Sequence, residues 1–300
     1  MINIVFGLDD AYSKFCAVTI ASILTHHKQT SPQDKIHFFF LAGNISGENQ
    51  KKLLELRDIQ DFDYTFINNI DNSIFKDIPI IGWNNYALCY RLLIPEILPD
   101  DVKKAIYLDC DIIVNIDIKD LWDIDIENYL LAAVSMNAST KHEGFEDSYF
   151  NSGVIVFNNC ALREFNFEKK WRDYAANLPK ETVLTFPDQD VLNYTVGKNA
   201  LLLPQKYNII DENIGNAKGI IHYAGRKPWG ILCAHPLKNL YFKYAKMTPY
   251  KKDFRFIRMR SFFKMISKNP FFFFKKHYLR IIKNFILLKI GFIKNSNSVD

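Results

Sequence analysis

Apolar residues fall along this chain in two rhythms. Short, nearly unbroken apolar runs at residues 3–10 (NIVFGLDD), 35–43 (KIHFFFLAG) and 62–68 (FDYTFIN) read as strands of a largely buried sheet. Between them, 13–27 (SKFCAVTIASILTHH) and 46–59 (SGENQKKLLELRDI) repeat their apolar positions at helical spacing, and Ser46 is placed to cap the second helix. Strand, helix, strand, helix, strand at this spacing predicts an α/β chain with a mostly parallel sheet flanked by helices. Further along, 85–98 (NYALCYRLLIPEIL) predicts a helix bent or ended near Pro95. Strands are expected at 105–114, 129–136 and 152–159, helices at 160–178 and 188–197, and a closing strand at 220–225.

One strand breaks the rhythm. AIYLDCDIIV, residues 105–114, carries Asp109 and Asp111 inside an apolar run. Aspartate is depleted in strands, and burying its charge is costly without compensation. Residues two apart on a strand share a side, so both carboxylates could reach one cation while Cys110 faces away. Hard ions such as Mg²⁺ and Mn²⁺ prefer such oxygen ligands. The bland reading is a turn-forming or capping pair. Three other D-x-D triplets, at Asp61/Asp63, Asp123/Asp125 and Asp188/Asp190, show how weak the bare pattern is. The first two lie in polar connections and read as surface or turn chemistry.

A metal site needs more ligands. His222, in GIIHYAGRKPW, follows an apolar run beside Gly225 and Lys227. Glycine would allow close backbone approach to a phosphate, and the lysine would supply charge. A histidine ligand would favour Mn²⁺ over Mg²⁺. A lone histidine is otherwise a packed, hydrogen-bonded residue, and the other six, without such neighbours, read as surface or packing residues.

Charge divides the chain. Residues 251–300 carry 13 Lys+Arg against 2 Asp, which leaves 25 against 31 acidic residues before them. The composition shift near residue 248 suggests a body at 1–248 and a basic, aromatic-rich tail at 249–300. Within the tail, 254–294 interleaves apolar and basic residues, and 278–294 can turn most of its Ile, Leu and Phe to one helical face. That pattern predicts an amphipathic helix on an anionic membrane surface. The body carries no nucleic-acid motif, so a nucleic-acid partner is not expected. Five scattered cysteines without CxxC spacing argue against disulfides and structural zinc and fit a reducing cytoplasm. The opening residues predict no signal peptide, and no run predicts a spanning helix.

Seven ordered segments, IVFGLDD, YRLLIPEILP, AIYLDCDIIV, DLWDIDI, YFNSGVIVFN, FPDQDVLN and HYAGRKPW, together resemble family 8 retaining glycosyltransferases of the GT-A fold. The resemblance covers about residues 1–245. The similar group is the bacterial lipopolysaccharide and lipooligosaccharide glucosyl- and galactosyltransferases. It implies a Rossmann-like sheet and hexose transfer from a UDP-sugar to a lipid-linked oligosaccharide at the inner face of the cytoplasmic membrane. It further implies that Asp109, Asp111 and His222 bind Mn²⁺ across the diphosphate. Asp9 and Asp10 would lie near the uridine, with Cys110 between the metal aspartates. Arg91, Asn137 and Asn151 would contact the donor sugar or its phosphate. Gly225 and Lys227 would hold the leaving diphosphate, with Asp188 and Gln189 at the reacting centre. Ala11 stands where relatives often have Asn, and Asn137 where they often have Asp. Gln189 is a poor nucleophile, so the resemblance favours front-face attack with retention over a covalent intermediate. Two other readings fit parts of the pattern. A phosphohydrolase would make Asp109 a nucleophile but usually has a Thr soon after the pair, absent from DCDIIV. A binding protein that has lost catalysis would not need the intact acidic pair, Gln189 and His222.

Overall fold

The computed structural model describes residues 1–80, 86–136, 149–210, 218–230 and 233–268. In chain order the elements are β1 (Ile2–Leu8), α1 (Ser13–Thr30), β2 (Ile36–Ala42), α2 (Gly47–Leu54) and β3 (Asp63–Asn68). Next come α3 (Ile94–Ile97), β4 (Lys104–Leu108), β5 (Ile112–Val114), α4 (Lys119–Trp122), β6 (Leu131–Ser135) and β7 (Phe150–Asn158). The chain continues through α5 (Asn159–Glu164), α6 (Phe167–Ala176), α7 (Pro187–Val196), β8 (Ala200–Leu202), β9 (Ile220–His222), α8 (Lys238–Ala245) and α9 (Lys251–Lys268).

Seven strands form one sheet in the order β3-β2-β1-β4-β7-β6-β8. Only β7 runs against its neighbours; the other pairings are parallel. The sheet is therefore mostly parallel, as the apolar runs imply. Successive residues of each inner strand enter opposite cores, because the pleat alternates sides. Ile4, Phe6 and Leu8 join the core under α1 and α8, whereas Val5, Tyr107 and Ile155 join the core under α5, α6 and α7.

The expected strand at 105–114 is two strands. β4 ends at Leu108 and β5 begins at Ile112, so Asp109, Cys110 and Asp111 form the turn between them. A turn leaves the carboxylates at the strand end, where their charge is not trapped in the sheet interior. β5 leaves the main sheet and pairs antiparallel with β9, placing Ile112 opposite His222. Helix α1 anchors this small sheet: Thr19 Oγ1 donates to the Ile112 carbonyl at 2.8 Å, and Val114 N donates to Ser22 Oγ at 3.0 Å.

Three other expectations are corrected. Residues 86–93 wind as a 3₁₀ helix that passes into α3, with Pro95 in the first turn of α3 where its missing N–H costs nothing. The helix at 160–178 splits into α5 and α6 at Asn166, whose φ of 55° interrupts the spiral. The strand at 220–225 stops at His222 and lies outside the main sheet. Beyond residue 248, Tyr250 and Phe254 are buried in the same core as α1 and α8, so the first turn of α9 packs with the body. Residues 278–294, the expected amphipathic stretch, lie outside the described residues.

Candidate active site

A cleft of about 330 Å³ opens at the carboxyl ends of β1 and β4, where parallel α/β sheets collect ligands. β7 runs antiparallel, so its beginning lies at this same edge; Asp109 N donates to the Gly153 carbonyl at 2.9 Å. The walls include Asp9, Tyr12, Arg91, Asp109, Cys110, Asp111, Met136, Asn151, Ser152, Phe186, Asp188, Gln189, His222 and Lys227.

Asp109, Asp111 and His222 bring one ligand atom each within 4.8 Å of the others. His222 Nε2 lies 3.4 Å from Asp111 Oδ1 and 3.6 Å from Asp109 Oδ2. Hard carboxylate oxygens beside an imidazole nitrogen form a donor set suited to Mn²⁺ and compatible with Mg²⁺. Gly153 lies directly beneath: a Cβ there would sit 2.3 Å from His222 Cε1 and 2.7 Å from Asp109 Oδ2. Only glycine leaves room for the two ligand side chains. The Lys227 ammonium bonds Asp111 Oδ2 and the Tyr223 carbonyl, supplying a positive charge beside the cluster.

The other Asp109 oxygen is fixed from behind. Oδ1 accepts from Arg91 Nη2 at 2.8 Å and from the Tyr107 hydroxyl at 2.9 Å. Arg91 is 4% exposed, lies over the Tyr107 ring, and pairs with Asp188 through Nε at 3.0 Å. Burial opposes its charge, but Asp109 and Asp188 more than offset this and raise its pKa. Burial raises the Asp188 carboxyl above its ordinary range, and Arg91 only partly counters it.

At the start of α7, Gln189 Oε1 accepts from Ser152 N and from Asn151 Nδ2, each at 3.0 Å. Its Nε2 donates to the Tyr149 hydroxyl at 3.1 Å. Asp188 Oδ2 accepts from Ser152 Oγ at 3.1 Å. Asp190 faces away, bonding Tyr149 and the Phe186 N–H, so it braces the start of α7. Burial and Asp190 together push the Tyr149 phenol well above its usual range.

Not every expected residue enters the cleft. Asp10 is corrected: its Oδ1 accepts from Ser46 N at 2.8 Å, Ser46 Oγ at 2.7 Å and Asn49 Nδ2 at 2.8 Å, which ties β1 to the start of α2. Gly225 is exposed and a Cβ there meets no atom within 4 Å, so nothing in the chain itself demands glycine. The Cys110 thiol packs inward, 3.8 Å from the Gly7 carbonyl. Asn137 lies outside the described residues. The sequence reading missed Tyr12, Tyr107, Tyr149, Ser152 and Asn208. Ser152 sits inside the quoted YFNSGV motif, but Asn208 follows QKY with no motif to mark it. Of the other triplets, Asp61 pairs with Arg57 and Asp123 with Lys119, both at the surface.

A reversed β7 set among parallel strands, with an acidic turn and a histidine at the strand ends, is the architecture of the GT-A fold. The backbone matches solved glycosyltransferases: WbbM, a bifunctional enzyme, with TM-score 0.70 and 20% identity over 86% of this chain and 52% of that one. The galactosyltransferase LgtC, solved with donor and acceptor sugar analogues, gives TM-score 0.69 and 23% identity over 83% of this chain and 96% of that one. The model of Glycosyl transferase family 8 matches residues 3–233, and the chain belongs to that family. General stress protein A of Bacillus subtilis (strain 168) is 28% identical over 83% of this chain and 95% of its own length. A lipopolysaccharide 1,2-glucosyltransferase of Escherichia coli is 28% identical over 83% and 81%. Family membership removes the phosphohydrolase reading.

Proposed function

We propose that this glycosyltransferase moves a hexose, glucose or galactose, from a UDP-sugar to a lipid-linked oligosaccharide with retention, in lipopolysaccharide core assembly. The observation that carries the reading is the convergence of Asp109, Asp111 and His222 at the floor of the cleft. A divalent ion held by these three, Mn²⁺ or Mg²⁺, would neutralise charge on the departing diphosphate. Lys227 would exchange Asp111 for a phosphate oxygen, and Asp9 with the exposed Tyr12 ring offers a polar edge and a stacking face for the uridine. Arg91 holds Asp109 and Asp188 in place rather than pointing at solvent. Asp188 would orient sugar hydroxyls. Gln189 lines the cleft with its amide bonded to Ser152, Asn151 and Tyr149, and Asp190 is spent on Tyr149 and Phe186. Neither arrangement suits a covalent nucleophile, which supports front-face attack.

The lipid-linked acceptor fits a protein that sits on the inner face of the cytoplasmic membrane. Among the described residues no helix is long and apolar enough to cross a membrane. On α9, Phe256 and Phe263 are 62% and 61% exposed, and Met259 shares their helical face beside exposed Arg255 and Arg260. Such a face suits anionic lipid.

The test is a donor screen on the full chain with Mn²⁺, scoring UDP release from UDP-glucose, UDP-galactose and other UDP-hexoses. Metal-dependent release, lost in Asp109→Asn and Asp111→Asn, is expected. No release from any UDP-hexose, or release that survives both substitutions, would overturn the reading.

A further inference from the structure

We infer that Asn208 is a positioning residue: it sets the His222 ring so that Nε2 offers a lone pair to the cation, and links that ring to Gln189 through one hydrogen-bonded chain. The inference rests on the metal-site reading above.

Backbone N–H groups only donate, so the bonds they make have an unambiguous direction. Gly153 N–H reaches Asn151 Oδ1 at 3.0 Å, which fixes that atom as the oxygen and turns Nδ2 toward Gln189. Ser152 N–H likewise fixes Gln189 Oε1. The Asn208 atom 2.8 Å from Asn151 Oδ1 must then be Nδ2, because an oxygen there would leave no donor. Asn208 Oδ1 therefore faces His222 Nδ1 at 2.9 Å. A carbonyl oxygen only accepts, so Nδ1 carries a hydrogen, and in the neutral ring that can ligate a cation Nε2, turned toward Asp109 and Asp111, carries the lone pair.

The donors all run one way. His222 donates to Asn208, Asn208 to Asn151, Asn151 to Gln189, Gln189 to Tyr149, and Tyr149 to the Asp190 carboxylate. Aligned bonds polarise one another, and the chain ends on an anion that draws the donors in its direction. Asn208 is 1% exposed and lies beside β9, where Ile209 N donates to the Ile220 carbonyl at 2.7 Å. A hydrogen-bond partner that fixes a ligating histidine typically carries about 10–100-fold in metal affinity. A buried asparagine that only satisfies its own polar groups would affect stability and nothing else.

The experiment separates these roles in the full chain. Asn208→Leu removes both bonds, and Asn208→Asp keeps an acceptor for Nδ1–H but loses the donor to Asn151. The ring tautomer of His222 is read by ¹⁵N NMR without metal, its signals identified by their loss in His222→Gln. Mn²⁺ affinity in the presence of UDP is read from the EPR signal of the free ion. The wild type is expected to show the Nδ1–H form, retained in N208D and lost in N208L. N208L is expected to bind Mn²⁺ about 10–100-fold more weakly, and N208D within about threefold of wild type. Should N208L fail to fold, Asn208→Ser opens the same gap with a smaller disturbance and takes its place. An Nε2–H tautomer in the wild type, or unchanged Mn²⁺ affinity in a folded N208L or N208S, would overturn the inference. A wild type that binds no Mn²⁺ removes the proposed function and the metal role of Asn208 with it. The tautomer, measured without metal, separately decides whether Asn208 sets the ring.

Discussion

His27 and His222 are both buried, and both stand beside aspartate, yet their surroundings differ in kind. Each ring nitrogen of His27 has an acceptor in hydrogen-bonding range: Asp117 Oδ1 at 2.9 Å and the Asp34 carbonyl at 2.6 Å. Asp117 in turn accepts from Thr30 Oγ1 and from Lys119 N at 3.0 Å. That group is closed: it pins the end of α1 to the segment after β5. At His222 one nitrogen is satisfied by Asn208, and the other faces two carboxylates at 3.4 and 3.6 Å, beyond good hydrogen-bond distance. Acceptors gathered with too few donors make a place for a cation. The same residue types thus build a pin at one end of the sheet and a receptor at the other, and the difference lies in whether donors and acceptors balance.

The contrast is sharpest in activity. Asp111→Asn is expected to lower metal-dependent UDP release by more than about 10³-fold while leaving the melting temperature near that of wild type. A steady-state UDP assay beside a thermal melt checks this, and near-normal turnover would erase the distinction drawn above. Next in size is Gly153→Ala. Its methyl would collide with His222 and Asp109, so Mn²⁺ affinity should fall by more than about 100-fold, read by EPR titration. If the variant binds the ion normally, the glycine is not reserved for the ligands.

The pin should answer oppositely. Asp117→Asn is expected to cost about 1–3 kcal/mol in urea unfolding, with UDP release per folded molecule unchanged. Acid gives a smaller and graded effect. Burial opposes the Asp117 charge, but His27, Ser31 and Thr30 outweigh it and hold the carboxyl down at about 2. A carboxyl whose folded pKa is depressed contributes stability that is full above its unfolded value. That contribution fades as pH falls from about 4 toward about 2. Urea midpoints across that window should drop more steeply for wild type than for Asp117→Asn; parallel slopes would remove Asp117 as the cause. Smallest in its effect on catalysis is removal of the chain after residue 256, which keeps the buried Tyr250 and Phe254. Sedimentation with anionic vesicles should be lost while UDP release stays within about twofold, since the removed Met259 and Phe263 belong to the proposed lipid face and not to the cleft. A truncated chain that still sediments would take membrane attachment away from this segment.

Local pattern carried the architecture a long way. The strands β1, β2 and β3, the helix α1 and the Ser46 cap could be read because each depends on neighbours a few residues apart, and Ser46 Oγ does accept from Asn49 N at 3.3 Å. Candidate residues at strand ends were legible for the same reason: an acid after an apolar run is a local signal. Asp10 was misread because the sequence cannot tell which of two adjacent acids turns toward the cleft and which ties β1 to Ser46 and Asn49 at the start of α2.

The amino-acid sequence by itself determined the α/β alternation, the family to which the chain belongs and the residue types available for a metal site. Only the tertiary structure decided that Asp109 and Asp111 form a turn, that β7 runs backwards to deliver Ser152 and Gly153, and that β5 pairs with β9 to set His222 beside Asp111. It also chose which histidine closes a network and which leaves one open. Periodicity is fixed by contacts along the chain, whereas pairing between distant strands, and with it the balance of donors and acceptors in a buried cluster, is fixed by how the whole core packs.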